Sequence, residues 1–118
     1  MIQLASTSDL LQLVTGGTQV IKVHASYADM SGITITYARL NTSISTVTTT
    51  TIVGSPAAST QRRVMFLSIL NSDTTTPNTI TLQVFATGTT CVLQQIALLP
   101  GAVLNYSSVG GFAITPQR

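Results

Sequence analysis

Charge is almost absent from this chain: only 7% of its 118 residues are Asp, Glu, Lys or Arg, and none is Glu. A domain of this size exposes much of its surface, and Lys, Glu, Asp and Arg ordinarily keep that surface soluble and unassociated. Thr and Ser stand in their place, about a quarter of the chain, and alternate with Val, Ile and Leu at the period of two that sends successive side chains to opposite faces of a strand. So little charge repulsion favours packing. The sequence therefore predicts a β-structured subunit held against other subunits, including copies of itself.

The length suits one domain. The net charge of +2 sets Lys22, Arg39, Arg62, Arg63 and Arg118 against Asp9, Asp29 and Asp73. No basic stripe is present to track a phosphate backbone, so no direct nucleic-acid partner is expected. The lone Cys91 lies in an apolar stretch, Cys91-Val92-Leu93, and reads as a small buried hydrophobe. No segment approaches the roughly 18 apolar residues of a membrane helix. The opening MIQLASTSDLLQLV lacks a basic n-region, which predicts synthesis in a cytosol.

Residues 1–9 read as a polar arm whose Ser6, Thr7, Ser8 and Asp9 could cap a helical turn starting at Leu10 and ending at Gly16-Gly17. Ile21, Val23, Ala25 and Tyr27 share one face of a half-exposed strand, and Ser31-Gly32 turns it into a hairpin with Ile33, Ile35 and Tyr37. The run ISTVTTTTIV over 44–53 is extended by its β-branched content, and Gly54-Ser55-Pro56 breaks it. Val64 to Leu70 is nearly all apolar, as in a strand covered on both faces. Strands around Ile80–Val84, Cys91–Leu98, Val103–Tyr106 and Phe112–Thr115 follow, with turns at Thr87-Gly88, Pro100-Gly101 and Gly110-Gly111. The expected fold is all-β: an antiparallel β-sandwich or jelly-roll-like body over residues 54–118, with an N-terminal arm and β-hairpin over residues 1–53, together one structural domain.

Candidate chemistry is sparse. His24 is the only imidazole and has no partner acid nearby in sequence; Cys91 has neither a His nor a cation beside it; one Cys and one His fall short of a transition-metal site. The expectation is a chain with no catalytic residue, no metal and no cofactor. Arg62-Arg63 is the one concentrated charge, and two readings weigh equally: a solvated pair at a strand end, or a bidentate grip on carboxylates of a partner protein. Tyr27, Tyr37 and Tyr106 are the aromatics available to a glycan, a weaker reading given 5% aromatic content and no Trp.

The run TVTTTTIVGSPAASTQRRVMFLSILN, then TITLQV, LLPGAVLNY and GGF, together with STSDLLQLVTG and VHASYAD near the start, resembles small structural proteins of tailed bacteriophages. The resemblance spans roughly residues 6 to 114, and its motifs are structural; it supplies no catalytic residues. It implies a virion protein made in the host cytoplasm, most simply a capsid decoration (cement) protein bound to the major capsid protein or other virion proteins. A tail, collar or fibre component shares the same architecture, and a host-surface glycan-binding module is the alternative of a different class. Arg62, Arg63, Tyr27 and Tyr37 are the candidate partner-binding residues, and the arm and hairpin are expected to reach across neighbouring subunits.

Overall fold

A computed structural model describes residues 2–115. They form ten strands: β1 (Ile2–Leu4), β2 (Leu10–Thr15), β3 (Ile21–Ser31), β4 (Thr34–Ile44), β5 (Thr48–Val53), β6 (Gln61–Asn71), β7 (Asn78–Ala86), β8 (Thr89–Leu98), β9 (Val103–Ser107) and β10 (Gly111–Thr115). Every pairing is antiparallel, and no helix occurs among the described residues. The first sheet runs β10-β9-β6-β3-β4, with β1 alongside the Arg62–Val64 end of β6; the second runs β5-β2-β7-β8.

Period-two patterning builds both layers. Ile21, Val23 and Ala25 of β3, Val64, Leu67 and Ile69 of β6, and Leu104 and Tyr106 of β9 turn inward from the first sheet. Leu11 and Leu13 of β2, Ile80 and Leu82 of β7, and Ile52 and Val53 of β5 meet them from the second, and all belong to one buried cluster. Burying one such side chain contributes about 1.5–3 kcal/mol, so this shared core is what holds the two sheets together.

The turns follow their residues. Thr87 and Gly88 both have positive φ, 54° and 77°, the signature of a type I′ hairpin. Gly101, at φ 76° after Pro100, completes a type II turn closed by Ala102 N–H donating to Leu99 O at 3.0 Å. Two buried amides tie down the end of the molecule that carries the Pro100-Gly101 turn, where Gly101 N–H donates to Asn71 O at 2.8 Å. Asn71 Nδ2 donates to Thr76 O and Leu98 O, while Asn78 Nδ2 donates to Gln19 O and its Oδ1 accepts from Gly16 and Gly17 N–H.

Strands from residues 1–53 and from residues 54–118 interleave: β3 sits between β4 and β6, β2 sits between β5 and β7, and β1 pairs with β6. Neither sheet closes without the N-terminal strands. The helical turn near Leu10 is β2 instead, because Leu11 and Leu13 are needed inward at strand spacing; Asp9 is no helix cap but a clamp on the preceding loop, accepting from Ala5 N–H at 2.8 Å and Ser6 N–H at 3.1 Å. And β6 is covered on one face only: Val64, Leu67 and Ile69 are buried, whereas Phe66 lies open on the other side.

Candidate functional site

The four residues expected to meet a partner divide between the two faces of the first sheet. Adjacent strand residues point to opposite sides, and the register sets Asp29 opposite Arg62 but Ala28 opposite Arg63. Arg62 therefore turns inward. Its Nε donates to Asp29 Oδ1 at 2.8 Å, Nη2 to Asp29 Oδ2 at 3.0 Å and Nη1 to Gly54 O at 3.0 Å, and its guanidinium lies 4.3 Å from the centre of the Tyr27 ring. The hydrogen bonds to Asp29 raise the Arg62 pKa further above its ordinary value. All of this holds the β3–β6 end to the segment leaving β5, so Arg62 and Tyr27 are engaged with each other and with Asp29 and Gly54 inside the fold. Tyr106 is likewise unavailable to a glycan, being buried against Phe112 with its hydroxyl accepting from Ile2 N–H at 2.7 Å.

Arg63 and Tyr37 point the other way, and around them the outer face assembles. Tyr37 and Arg63 flank Ala28 in one cross-strand row, and Arg39, Ser26 and Phe66 form the next. The row after that joins Asn41, His24 and Ser68, and Ser43, Lys22 and Leu70 complete the ladder. Tyr37 is 70% exposed, and Ile35 on the same face of β4 is 53% exposed. His24 Nδ1 is hydrogen-bonded to Asn41 Oδ1, its ring tilts over Phe66 at 6.3 Å, and Lys22 Nζ donates to Ser43 Oγ at 3.0 Å. Arg63 Nε is buried without a hydrogen-bond partner, an unspent donor on the β6 side of the first row.

Charge is sorted between the layers. Lys22, Arg39 and Arg63 all project from this outer face, while Asp29 is committed inward to Arg62, Asp9 to the loop before β2, and Asp73 to the loop after β6, where Thr75 and Thr76 N–H donate to it. Hydrogen bonds to those two amides lower the Asp73 pKa, and the Ala5 amide does the same for Asp9. Among the described residues the outer face thus carries cations, hydroxyls and apolar side chains but no carboxylate. It can pair with carboxylates and bury apolar surface at the same time.

In the sequence Arg62 and Arg63 form one concentrated charge. Strand parity, applied to the run that contains them, separates them and joins Arg63 to Arg39 and Lys22. Cys91 is also corrected: it is exposed, because it sits near the turn of the β7–β8 hairpin on the edge strand of the second sheet. No group of three or more His, Cys, Asp or Glu side chains close enough to hold a metal occurs among the described residues. No family model matches the sequence, and no curated protein or solved structure matches the chain.

Proposed function

We propose that this chain is a virion structural protein, a capsid decoration subunit that lays the outer face of its first sheet on the major capsid shell and ties neighbouring capsomers together. The observation that carries the reading is the sorting of charge: Lys22, Arg39 and Arg63 stand among exposed Tyr37, Ile35 and Phe66 on a face without carboxylates. A rigid two-layer body bearing one cationic, partly apolar face is built to sit on an acidic surface. The mechanism is passive, with no catalytic residue: a subunit that binds the assembled shell better than its free parts stabilises the shell by mass action. The site of action is the virion. A jelly-roll-like arrangement belongs to the same proposal, supported by the nesting of the β3·β6 pair inside the β2·β7 pair across the two sheets.

Shells assembled without this chain provide the test. Cosedimentation with the wild-type protein should saturate, and Arg39→Glu with Arg63→Glu should weaken attachment by on the order of tenfold or more, with strong salt dependence in the wild type. Gln95→Glu, on the exposed side of the second sheet, should bind as the wild type does. Equal binding by the charge-reversed protein would remove this face from the account.

A further inference from the structure

The free edge of β4 is open in a way the other sheet edges are not. β10 and β5 are short, at 5 and 6 residues, and β8 is interrupted by a register shift against β7. β4 runs 11 residues in unbroken register with β3, contains no Pro, no Gly and no Lys, and is exposed from Thr34 to Asn41. Long, regular, nearly uncharged edges pair with other strands unless something blocks them, and here Arg39 is the single charged residue while Pro, Lys and a bulge are absent from the strand.

Backbone parity shows what the edge offers. The β3–β4 turn has Gly32 at φ 60° and Ile33 outside the positive-φ region, a type II′ hairpin in which Ser31 and Thr34 flank the two-residue loop. That flanking pair exchanges backbone hydrogen bonds, and the bonding direction alternates along an antiparallel strand. Thr34, Thr36, Ala38, Leu40 and Thr42 therefore spend their N–H and C=O groups on β3. Ile35, Tyr37, Arg39, Asn41 and Ser43 present theirs outward.

We propose that β4 pairs with β4 of a second copy of this chain, antiparallel about a two-fold axis at Ala38, so that the two first sheets become one continuous sheet. Charge selects the register. The fully overlapped pairing, Thr34 against Ile44, would set Arg39 directly against Arg39 of the second copy, and like charges directly opposite are destabilising. Sliding by one step of the two-fold puts Ala38 against Ala38, Thr36 against Leu40 and Ile35 against Asn41, and sets each Arg39 guanidinium beside the Tyr37 ring of the other copy. A cation beside an aromatic face replaces the repulsion. Ala38 at the axis falls in a pair that exchanges no hydrogen bonds, where the chains approach most closely, to about 4.5 Å between Cα atoms, and a methyl side chain suits that spacing. Ile33, Ile35, Tyr37 and Leu40, four of the large apolar side chains left exposed on the monomer, all lie along this seam. The inference goes beyond the shell-binding reading and does not rest on it.

Sedimentation equilibrium of the full chain should give the dimer mass at micromolar concentration. Ile35→Pro removes an outward N–H and leaves the β3–β4 ladder intact, so it should give a monomer with the wild-type circular dichroism spectrum. In a Cys91→Ser background, Ala38→Cys should cross-link to a covalent dimer on mild oxidation, the Cα separation lying within disulfide range. Thr36→Cys, which sits opposite Leu40 of the second copy, should not. The Ala38→Cys and Thr36→Cys contrast decides the matter if Ile35→Pro fails to fold. A monomeric wild type, or an oligomer in which Ala38→Cys does not cross-link, overturns the proposal.

Discussion

Asn71 gives the sharpest test of how the two sheets are joined at the end away from the β3–β4 turn. Its side chain is fully buried, Nδ2 donating to Leu98 O at 2.9 Å and Thr76 O at 3.1 Å while Oδ1 accepts from Asp73 N–H at 3.1 Å. Asn71→Asp keeps the shape and removes the donor. An ionised carboxylate there would face two carbonyl oxygens without water, so the folded protein holds the new group protonated. The protonated acid recovers one of the two donations and leaves one carbonyl unpaired, a cost of about 1–3 kcal/mol. Keeping a carboxyl of unfolded pKa about 3.9 protonated at pH 7 costs up to about 4 kcal/mol more, at 1.36 kcal/mol per unit. The folded-state pKa of the introduced group is raised, so its penalty is smallest below the unfolded pKa and grows as the pH rises from there towards the folded value. Urea unfolding of both proteins should show a gap of about 5–7 kcal/mol at pH 7 that narrows to about 1–3 kcal/mol near pH 4. A gap below about 1 kcal/mol at pH 7, or one that does not change with pH, would refute the reasoning.

Asp9 responds to pH in the opposite sense. The Ala5 amide, then the Ser6 hydroxyl, lower its pKa, so its contribution is present above the unfolded pKa and is lost as the pH falls through the folded one. Asp9→Ala should cost about 1–2 kcal/mol at pH 7, and chemical denaturation should show the difference from wild type shrinking below about pH 4. For the Arg62–Asp29 pair, whose side chains are 16% and 26% exposed, a double-mutant cycle with Arg62→Leu and Asp29→Asn should give a coupling of about 1–2 kcal/mol, above the exposed-pair range because the contact is bidentate. Neither change should alter attachment to shells, since the pair faces inward.

Much of the strand succession was legible because it is written in alternation and in turn chemistry. Ile21-Val23-Ala25, the Thr-rich run ending at Gly54, Thr87-Gly88 and Pro100-Gly101 each identify their element through backbone physics that does not depend on the rest of the fold. The β3–β4 hairpin was legible too, but pairings between strands distant in sequence were not. β1 is 3 residues long and β2 is 6, too short for periodicity to distinguish strand from helix, so the Ser-Asp cluster between them looked like a cap. The apolar run of β6 looked doubly covered because sequence shows hydrophobicity and not whether a second layer exists. Here the second layer lies on one side only, and Phe66 is left for the outer face. The same gap explains Arg62 and Arg63: their common charge is visible in the sequence, but the inward partner Asp29 comes from β3, 33 residues away.

The central claim is that this chain coats a shell in many copies, and counting copies tests it most directly. Quantitative mass spectrometry of purified virions encoding this chain, calibrated against the major capsid protein, should find it at a ratio approaching one per capsid subunit or a small simple fraction of that. A handful of copies per particle, or none, would contradict the account and point to a tail or fibre position or to a protein outside the virion altogether.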